Sequence, residues 1–276
     1  MSKPPKLNKK SKYSIAPWCG DQEGEKIILY GESGIGKTTI STMAPNPVFV
    51  GIDDGGRKIK HPKTGENLQR VEGIETFDDV LACLSDISLF KDYETIVIDN
   101  ITFLEQWALP YLFRTVPKNQ SGDAVKNVED YGYHKGYRRW YDVMRLPLSL
   151  CDELVRRNKN VLMVAQSTIA KSVQAGTEDF VKEGPELHHD KNVSTLNAYV
   201  SWADHVFRIA RYDNKVKGGK VEGSSSRAVF TQPEPWFYAK SRTLDPQYDI
   251  VAFDNPADDS IWRLLFGGKD GNNDKE

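Results

Sequence analysis

The sequence predicts an α/β fold with a mostly parallel sheet and flanking helices, and two features of the chain carry this prediction. First, short apolar runs typical of buried strands alternate with segments of helical character, which is the pattern of parallel strands joined by helical crossovers. Second, a glycine-rich segment at 31–38 lies between the apolar run 27–30 and a helix-compatible run at 39–44. A strand, a tight turn and a helix therefore follow one another where the core begins.

The alternation continues along the rest of the chain. Thr76 is a predicted helix N-cap, because Asp79 follows three residues later and apolar residues then recur at helical spacing. Further strands are predicted at 48–52, 94–100 and 160–166, and further helices at 102–112, 133–158 and 194–203. Hairpin strands are predicted at 205–211, 227–231 and 236–240, and long loops at 114–132 and 167–193.

Composition indicates a globular protein with one core. The 276 residues are 39% hydrophobic and 28% charged, and the net charge of −2 gives no overall field that favours nucleic acid or a membrane. No run approaches the roughly 18 apolar residues of a membrane span, and the N-terminus lacks the apolar core of a signal peptide. Three widely separated cysteines favour neither a disulfide framework nor a zinc site, which predicts a cytoplasmic protein.

Three regions are predicted along the chain. They are a basic flexible arm at 1–25, a core domain at 26–266 and a disordered polar tail at 267–276. The arm has five lysines and no acidic residue among its first twelve residues. It is either an electrostatic contact for phosphate backbones or a solvated tail.

The glycine-rich segment fits the pattern G-x-x-x-x-G-K-[ST] without a mismatch. Glycines let such a loop fold tightly, so that backbone N–H groups and the next helix N-terminus point at a phosphate. Lys37 would reach the β- and γ-phosphates, and the Thr38 hydroxyl would hold Mg²⁺. A chance glycine-rich turn is the alternative. The predicted nucleoside triphosphate site consists of Gly31, Glu32, Ser33, Gly34, Ile35, Gly36, Lys37, Thr38 and Thr39.

Polar side chains stand at the ends of three predicted strands, where ligands of parallel sheets lie. Asp99 is a candidate Mg²⁺ ligand acting through water. Asp53 and Asp54 offer a general base for an attacking water, or they only cap a turn. Gln166 is suited to sensing a γ-phosphate, because an amide both donates and accepts, although a backbone-satisfied buried amide is the alternative.

Two further groups of residues have competing interpretations. Lys240 and Arg242 lie two residues apart, so alternation puts both on one side of a strand, where they either stabilise a phosphoryl group or form a solvated pair. Aromatic and basic side chains interleave between Tyr131 and Met144, which suits stacking on unpaired bases. One helical face also holds several of them, and on that ground we favour a core role for Tyr133, Tyr137, Trp140, Tyr141 and Met144.

The order of these parts resembles the RecA-type recombinase core. In its brevity the chain is similar to the phage-encoded RecA-like single-strand annealing ATPases, a group of AAA-domain nucleotide-binding proteins. The resemblance covers about 26–245 and rests on the phosphate loop and on residues 97–99, 164–166 and 239–242. It implies a RecA-like P-loop core with a C-terminal β-hairpin.

The resemblance also implies cofactors, partners and roles. The cofactors would be ATP and Mg²⁺, and the loops 114–132 and 167–193 would contact single-stranded DNA, with Gln166 coupling the second loop to the nucleotide. Lys240 and Arg242 would reach the nucleotide of the adjacent protomer. Further implied partners are other copies of the chain and a single-strand-binding protein. The family usually has Glu where Asp53 and Asp54 stand, and the shorter acid predicts slow, DNA-stimulated hydrolysis.

The resulting prediction is an ATPase that binds single-stranded DNA and promotes annealing or strand exchange in phage recombination, in the host cytoplasm. Because the chain lacks a sizeable extra domain, we expect a ring or a short filament. The nearest alternative is a hexameric helicase-like motor, and a second is a nucleotide-gated switch that binds a protein and no DNA. A small-molecule kinase is disfavoured, because no cation-rich lid follows the phosphate loop.

Overall fold

A mixed sheet forms the centre of the molecule. The computed structural model describes residue 15 and residues 23–172, 180–212, 215–217, 220–222, 226–253 and 255–267. The strands are β1 (Lys26–Gly31), β2 (Pro47–Gly51), β3 (Thr95–Asp99), β4 (Asn160–Ser172), β5 (Phe180–Pro185), β6 (His205–Arg211), β7 (Lys215–Lys217), β8 (Lys220–Glu222), β9 (Arg227–Phe230) and β10 (Ile250–Phe253). The helices are α1 (Lys37–Ser41), α2 (Phe77–Ser85), α3 (Ile101–Thr115), α4 (Lys135–Arg156), α5 (Thr195–Trp202) and α6 (Ser260–Phe266).

Five central strands are parallel and lie in the order β6-β1-β4-β3-β2. At one side β9 pairs antiparallel with β6, and β10 pairs antiparallel with β9. Because neighbouring strands in this part are parallel, the chain must cross from one end of the sheet to the other between them, as helical crossovers do. The predicted α/β fold class, with a mostly parallel sheet flanked by helices, is confirmed.

Helices cover both faces of the sheet. Side chains alternate along β1, so that Ile28 and Tyr30 belong to the cluster that α2, α3, α4 and α5 complete. Ile27 and Leu29 belong to the opposite cluster, which α1 and α6 complete. This burial on both faces explains the uninterrupted apolar run of β1. It also fixes the strand end from which the glycine-rich loop departs.

The predicted helices are present with shifted ends. α2 begins with the predicted capping box, in which the Thr76 hydroxyl accepts from the Asp79 N–H and the Asp79 carboxylate accepts from the Thr76 N–H. α3 extends three residues beyond its predicted end, and α4 continues past Pro147 to Arg156. Among the described residues, no helix has both the length and the apolar character needed to cross a membrane.

The prediction of a loop at 167–193 is wrong over its first part. β4 continues to Ser172 and pairs antiparallel with β5, from Ser167 opposite Pro185 to Ser172 opposite Phe180. The last residue of β1 pairs with Gln166, so this two-stranded arm extends beyond the parallel strands. Hydroxyl-bearing and branched residues at 167–169 favour strand, whereas Gly184 and Pro185 suggested a loop. Residues 173–179 lie outside the described residues.

The C-terminal hairpin is present, but its strands differ from those predicted. Residues 236–240 make only isolated pairings, Phe237 with Glu183 and Glu234 and Lys240 with Val206, and the second hairpin strand is β10. Because polar residues flank this short strand on both sides, the sequence pattern did not predict it. Most of the predicted basic arm and polar tail lies outside the described residues, as do Gly218 and Gly219 in the basic segment between the predicted strands 205–211 and 227–231.

Candidate functional site

The glycine-rich loop connects the end of β1 to the start of α1 at the carboxyl edge of the sheet. Gly36 is the residue before α1, and its φ of 108° is a left-handed conformation that residues with a Cβ rarely adopt. At Gly31 a Cβ would lie 2.3 Å from the Ile209 carbonyl oxygen of β6, so any larger residue would push β1 and β6 apart. The loop shape therefore depends on glycine at both positions.

Lys37 occupies the centre of this loop. Its side chain is buried, and Nζ donates to the carbonyl oxygens of Gly31 and Glu32 at 2.9 and 2.8 Å and to Gln166 Oε1 at 2.9 Å. Burial lowers the pKa of Lys37, and the nearby charge of Asp99 opposes that shift. The ammonium group thus lies where the loop meets β4, held by oxygen atoms of two elements.

Thr38 and Asp99 join the loop to β3. The Thr38 hydroxyl donates to Asp99 Oδ2 at 2.6 Å. Asp99 is buried, and burial, with a smaller contribution from the charge of Asp53, raises its pKa to about 6 while the Thr38 hydrogen bond opposes the rise. A hydroxyl and a carboxylate side by side fit Mg²⁺, which takes one or two protein oxygens and completes its shell with water and phosphate. Within the described ranges no cluster of three His, Cys, Asp or Glu side chains could hold a metal by itself.

Asp53 and Asp54 have different surroundings, although they are adjacent in sequence. Asp53 Oδ2 accepts from Asn100 Nδ2 at 2.6 Å, and Oδ1 accepts from the Gly55 N–H at 2.8 Å. These bonds hold its carboxylate beside β3. The Asp54 side chain is 85% exposed and lies 3.8 Å from Arg57 on the same 3₁₀ turn. Of the two candidate bases, only Asp53 is positioned with the Asp99 group.

Gln166 is connected to three elements. Its side-chain oxygen accepts from Lys37, its N–H donates to Thr102 Oγ1 of α3 at 3.1 Å, and its carbonyl accepts from the Glu186 N–H at 2.8 Å. Thr102 in turn donates to the Glu186 carbonyl at 3.1 Å. The residue that contacts the phosphate-loop lysine is therefore also anchored to the chain that follows β5.

Lys240 and Arg242 lie near the amino end of β6, at the opposite edge of the parallel strands from the glycine-rich loop. Lys240 pairs with Val206, and Val206 pairs with Ile28 of β1. Ile28 lies three residues before Gly31, the first residue of the loop, which is a distance of about 10 Å along the strand. Arg242 Nε lies 3.3 Å from Asp204 Oδ1, just before β6 begins. Burial, then the charge of Arg242, lowers the pKa of Lys240. Neither cation joins the phosphate loop of its own chain.

The structure adds residues that the sequence analysis missed. Arg227, at the start of β9, donates from Nη1 to the Ile35 carbonyl at 3.0 Å and packs over the Phe253 ring. Asn100 caps α3 by accepting from the Phe103 N–H and also fixes Asp53. The cap was detectable, because an Asn between a buried strand and a helix is a common N-cap. No sequence signal places Arg227, which only the strand order brings to the loop.

The interpretation of this helical face as core is correct for Met144 and Trp140 and wrong for Tyr133, which lies just before α4. Met144 is fully buried, and Trp140 packs against the core cluster with its indole N–H on the Glu105 carbonyl. Tyr133 is 95% exposed, and Tyr137 and Tyr141 are only half-buried. Shared helical spacing identified which residues lie on one face, but burial along that face increases from Tyr133, which is exposed, to Met144, which is fully buried.

A cavity of about 860 Å³ lies between β2 and the segment that follows it. Asp53 and Asp99 line it, together with Arg57, Arg70 and Trp107. The cavity therefore opens onto the two carboxylates that stand next to the phosphate loop.

Comparison with known proteins identifies a family. A family model described as an AAA domain (AAA_24) matches residues 23–243. No curated protein matches the chain. Among 228 matching chains of solved structures is the flagellar accessory protein FlaH from Methanocaldococcus jannaschii, with 11% identity, a TM-score of 0.40, and coverage of 84% of this chain and 85% of that chain.

Two other solved structures are similar at comparable levels. The KaiC-like protein PH0186 from Pyrococcus horikoshii OT3 has 14% identity and a TM-score of 0.41, with coverage of 84% of this chain and 90% of that chain. The RadB recombinase has 11% identity and a TM-score of 0.42, with coverage of 80% of this chain and 83% of that chain.

Proposed function

The chain belongs to the AAA domain family, and from this premise and the phosphate-loop geometry we propose that it is an ATPase that binds single-stranded DNA. Its action would be annealing or strand exchange in phage homologous recombination, in the cytoplasm of the host. The order of the sequence motifs supports the DNA part of the proposal, and the contacts of Lys37, Thr38 and Asp99 support the nucleotide part.

Each residue of the site has a defined task in this proposal. Backbone N–H groups of the loop and the Lys37 ammonium bind the phosphates, while Thr38 and Asp99 would hold Mg²⁺, which neutralises phosphate charge. Asp53, fixed by Asn100, accepts a proton from the attacking water. Lys240 and Arg242 would serve the nucleotide of an adjacent protomer in a ring or short filament, because they lie far from the loop of their own chain.

One observation carries the coupling between nucleotide and DNA, namely the contact of Lys37 Nζ with Gln166 Oε1 at 2.9 Å. Gln166 is the last β4 residue paired with β1, and the β4–β5 arm begins directly after it. A phosphate that draws Lys37 towards itself changes the bond to Gln166. The arm and residues 186–193 then respond to the nucleotide, which is the behaviour required of a DNA-binding element that ATP orders.

Fluorescence anisotropy of a labelled single-stranded oligonucleotide tests the proposal, with and without a non-hydrolysable ATP analogue and Mg²⁺. We expect binding that prefers the single strand over a duplex and strengthens with nucleotide. Lys37→Ala removes a buried cation with three hydrogen bonds, so it should abolish the nucleotide effect.

The outcomes of this experiment separate the alternatives. Equal binding with and without nucleotide, or an unchanged nucleotide effect in Lys37→Ala, would contradict the coupling. No binding in any nucleotide state would overturn the DNA part and favour a nucleotide-gated switch with a protein partner. Directional unwinding of a duplex would identify the helicase-like motor instead.

A further inference from the structure

The first half of α4 and the residues just before it carry aromatic and basic side chains that the phosphate-loop site does not use. Tyr133, Tyr137, Arg138, Tyr141 and Arg145 form what we call the aromatic–basic face. We propose that this face binds single-stranded DNA, with bases stacked on the tyrosine rings and phosphates on the arginines. The inference rests on the proposed function and names a contact surface outside the two long loops that the sequence resemblance implied.

The backbone before α4 holds Tyr133 out in solvent. Tyr133 has φ of 47° and His134 has φ of 58°, two consecutive left-handed residues that both carry a Cβ. Such conformations are unfavourable for these residue types and occur where the surrounding structure enforces them, often at binding sites. Tyr133 in this conformation is 95% exposed. An exposed aromatic ring that is held by an unfavourable backbone conformation is suited to stacking on a nucleobase.

The other rings of the face already take part in stacking contacts. The Tyr137 ring stacks on His188, with centroids 5.0 Å apart and an interplanar angle of 14°. Arg138 and Arg145 lie over the Tyr141 ring, with guanidinium carbons 5.4 and 5.8 Å from its centroid. A nucleobase offers the same flat π-surface as these partners. Base stacking on the half-buried tyrosines would therefore extend contacts that the face already makes.

The charge of the face suits a phosphate backbone. Residues 133–145 include four basic side chains and one acidic side chain, although the whole chain has a net charge of −2. The acid, Asp142, lies 3.7 Å from Arg138. A groove of about 440 Å³ beside the face is lined by Arg138, Tyr141 and Lys191 and also by Asp190, which accepts from two backbone N–H groups. Alternating rings and cations are the arrangement that binds single strands.

A short segment connects the face to the phosphate loop. Glu186 donates its N–H to the carbonyl of Gln166, whose side chain contacts Lys37. Two residues later, the His188 N–H donates to the buried Glu105 carboxylate at 2.8 and 3.0 Å, and the His188 ring stacks on Tyr137. A change at Gln166 therefore reaches a ring of the aromatic–basic face through three residues of chain. This continuity predicts that binding at the face depends on nucleotide.

Anisotropy with matched oligonucleotides tests the proposal on the full chain with ATP analogue and Mg²⁺. Tyr133→Ala should weaken binding of a fully based single strand about tenfold, the usual effect of losing one stacking aromatic. Tyr133→Trp keeps a stacking ring and should bind like the wild type. Tyr248→Ala, which removes an exposed tyrosine from a different part of the surface, is the control and should change nothing.

An oligonucleotide with abasic positions separates stacking from charge. Its binding to the wild type should be weaker, and Tyr133→Ala should then have no further effect, because no base remains to stack. Arg145→Ala should weaken both oligonucleotides equally and reduce the salt dependence of binding. Wild-type affinity in Tyr133→Ala, or an equal loss on based and abasic strands, would overturn the aromatic–basic face and leave the proposed function standing. Absence of any wild-type binding to single strands would overturn both.

Discussion

The two edges of the central parallel strands carry similar charged side chains but organise them differently. At the carboxyl edge, Lys37 is buried and bonded to oxygens of the loop and β4, and Thr38 joins the loop to β3 through Asp99. At the amino edge, the Arg242 side chain is 62% exposed and contacts Asp204 just before β6. The first group is a network centred on a buried cation, whereas Arg242 is a largely exposed cation that pairs with Asp204, whose other carboxylate oxygen accepts from the Lys26 N–H.

This difference indicates which kind of contact with a ligand or partner each edge can make. Lys37 is a buried cation whose partners come from the loop and β4, so a ligand at the carboxyl edge that draws it away changes contacts in both elements. An exposed ion pair contributes little to stability and exchanges partners easily. Arg242 is therefore accessible to a second molecule, as the proposed site between chains requires.

The largest effect within the carboxyl edge is expected from replacing one of two adjacent acids. Asp53→Asn should lower ATP turnover about a hundredfold, because it removes the proton acceptor that Asn100 positions. Asp54→Asn should leave turnover unchanged, because that side chain faces solvent. Steady-state hydrolysis, with nucleotide affinity measured separately, checks both. Equal losses in the two variants would contradict the assignment of the base to Asp53.

A smaller effect concerns the buried acid that anchors the segment after β5. Burial raises the pKa of Glu105 from 4.5 to about 7, against the hydrogen bonds from His188 and Thr195. The folded protein therefore binds this proton more tightly than the unfolded chain does. The contribution of Glu105 to stability is complete below pH 4.5 and is lost as the pH rises through about 7.

Glu105→Gln mimics the protonated form and should remove this dependence. The variant should match the wild type near the acid end of this range and become more stable than it towards pH 8, by up to ~3 kcal/mol for a shift of this size. Urea unfolding at several pH values measures the difference. Parallel stability curves for the two proteins would show that Glu105 titrates as an ordinary surface acid.

The local sequence pattern was sufficient to predict which strand ends meet at the carboxyl edge. The loop motif, the apolar strand before Asp99 and the strand before Gln166 each carry their own signal, and parallel topology brings their ends together. The fold class followed from the alternation of apolar strand segments with segments of helical character. Asp53 and Asp54 were indistinguishable in sequence, because their difference arises from the Asn100 side chain and the direction of one turn.

Contacts between distant segments were beyond such reasoning. Arg227 reaches the Ile35 carbonyl only because β9 lies beside β6, which lies beside β1. The extension of β4 into an arm required pairing with β5, and turn-forming residues concealed it. For α4, helical spacing identified which residues share a face, but the exposure of Tyr133 depends on two left-handed residues before the helix.

Mixing two inactive variants tests most directly whether the site is divided between chains. Lys37→Ala should lack nucleotide binding, and Arg242→Ala should bind nucleotide but hydrolyse it poorly. In a mixed assembly, each interface that joins an intact Lys37 to an intact Arg242 of the neighbour is complete, which random mixing gives for roughly a quarter of interfaces. We expect hydrolysis by the mixture well above that of either variant alone. Full activity of Arg242→Ala by itself, or a mixture as inactive as its parts although both variants assemble, would contradict a site completed by a second chain.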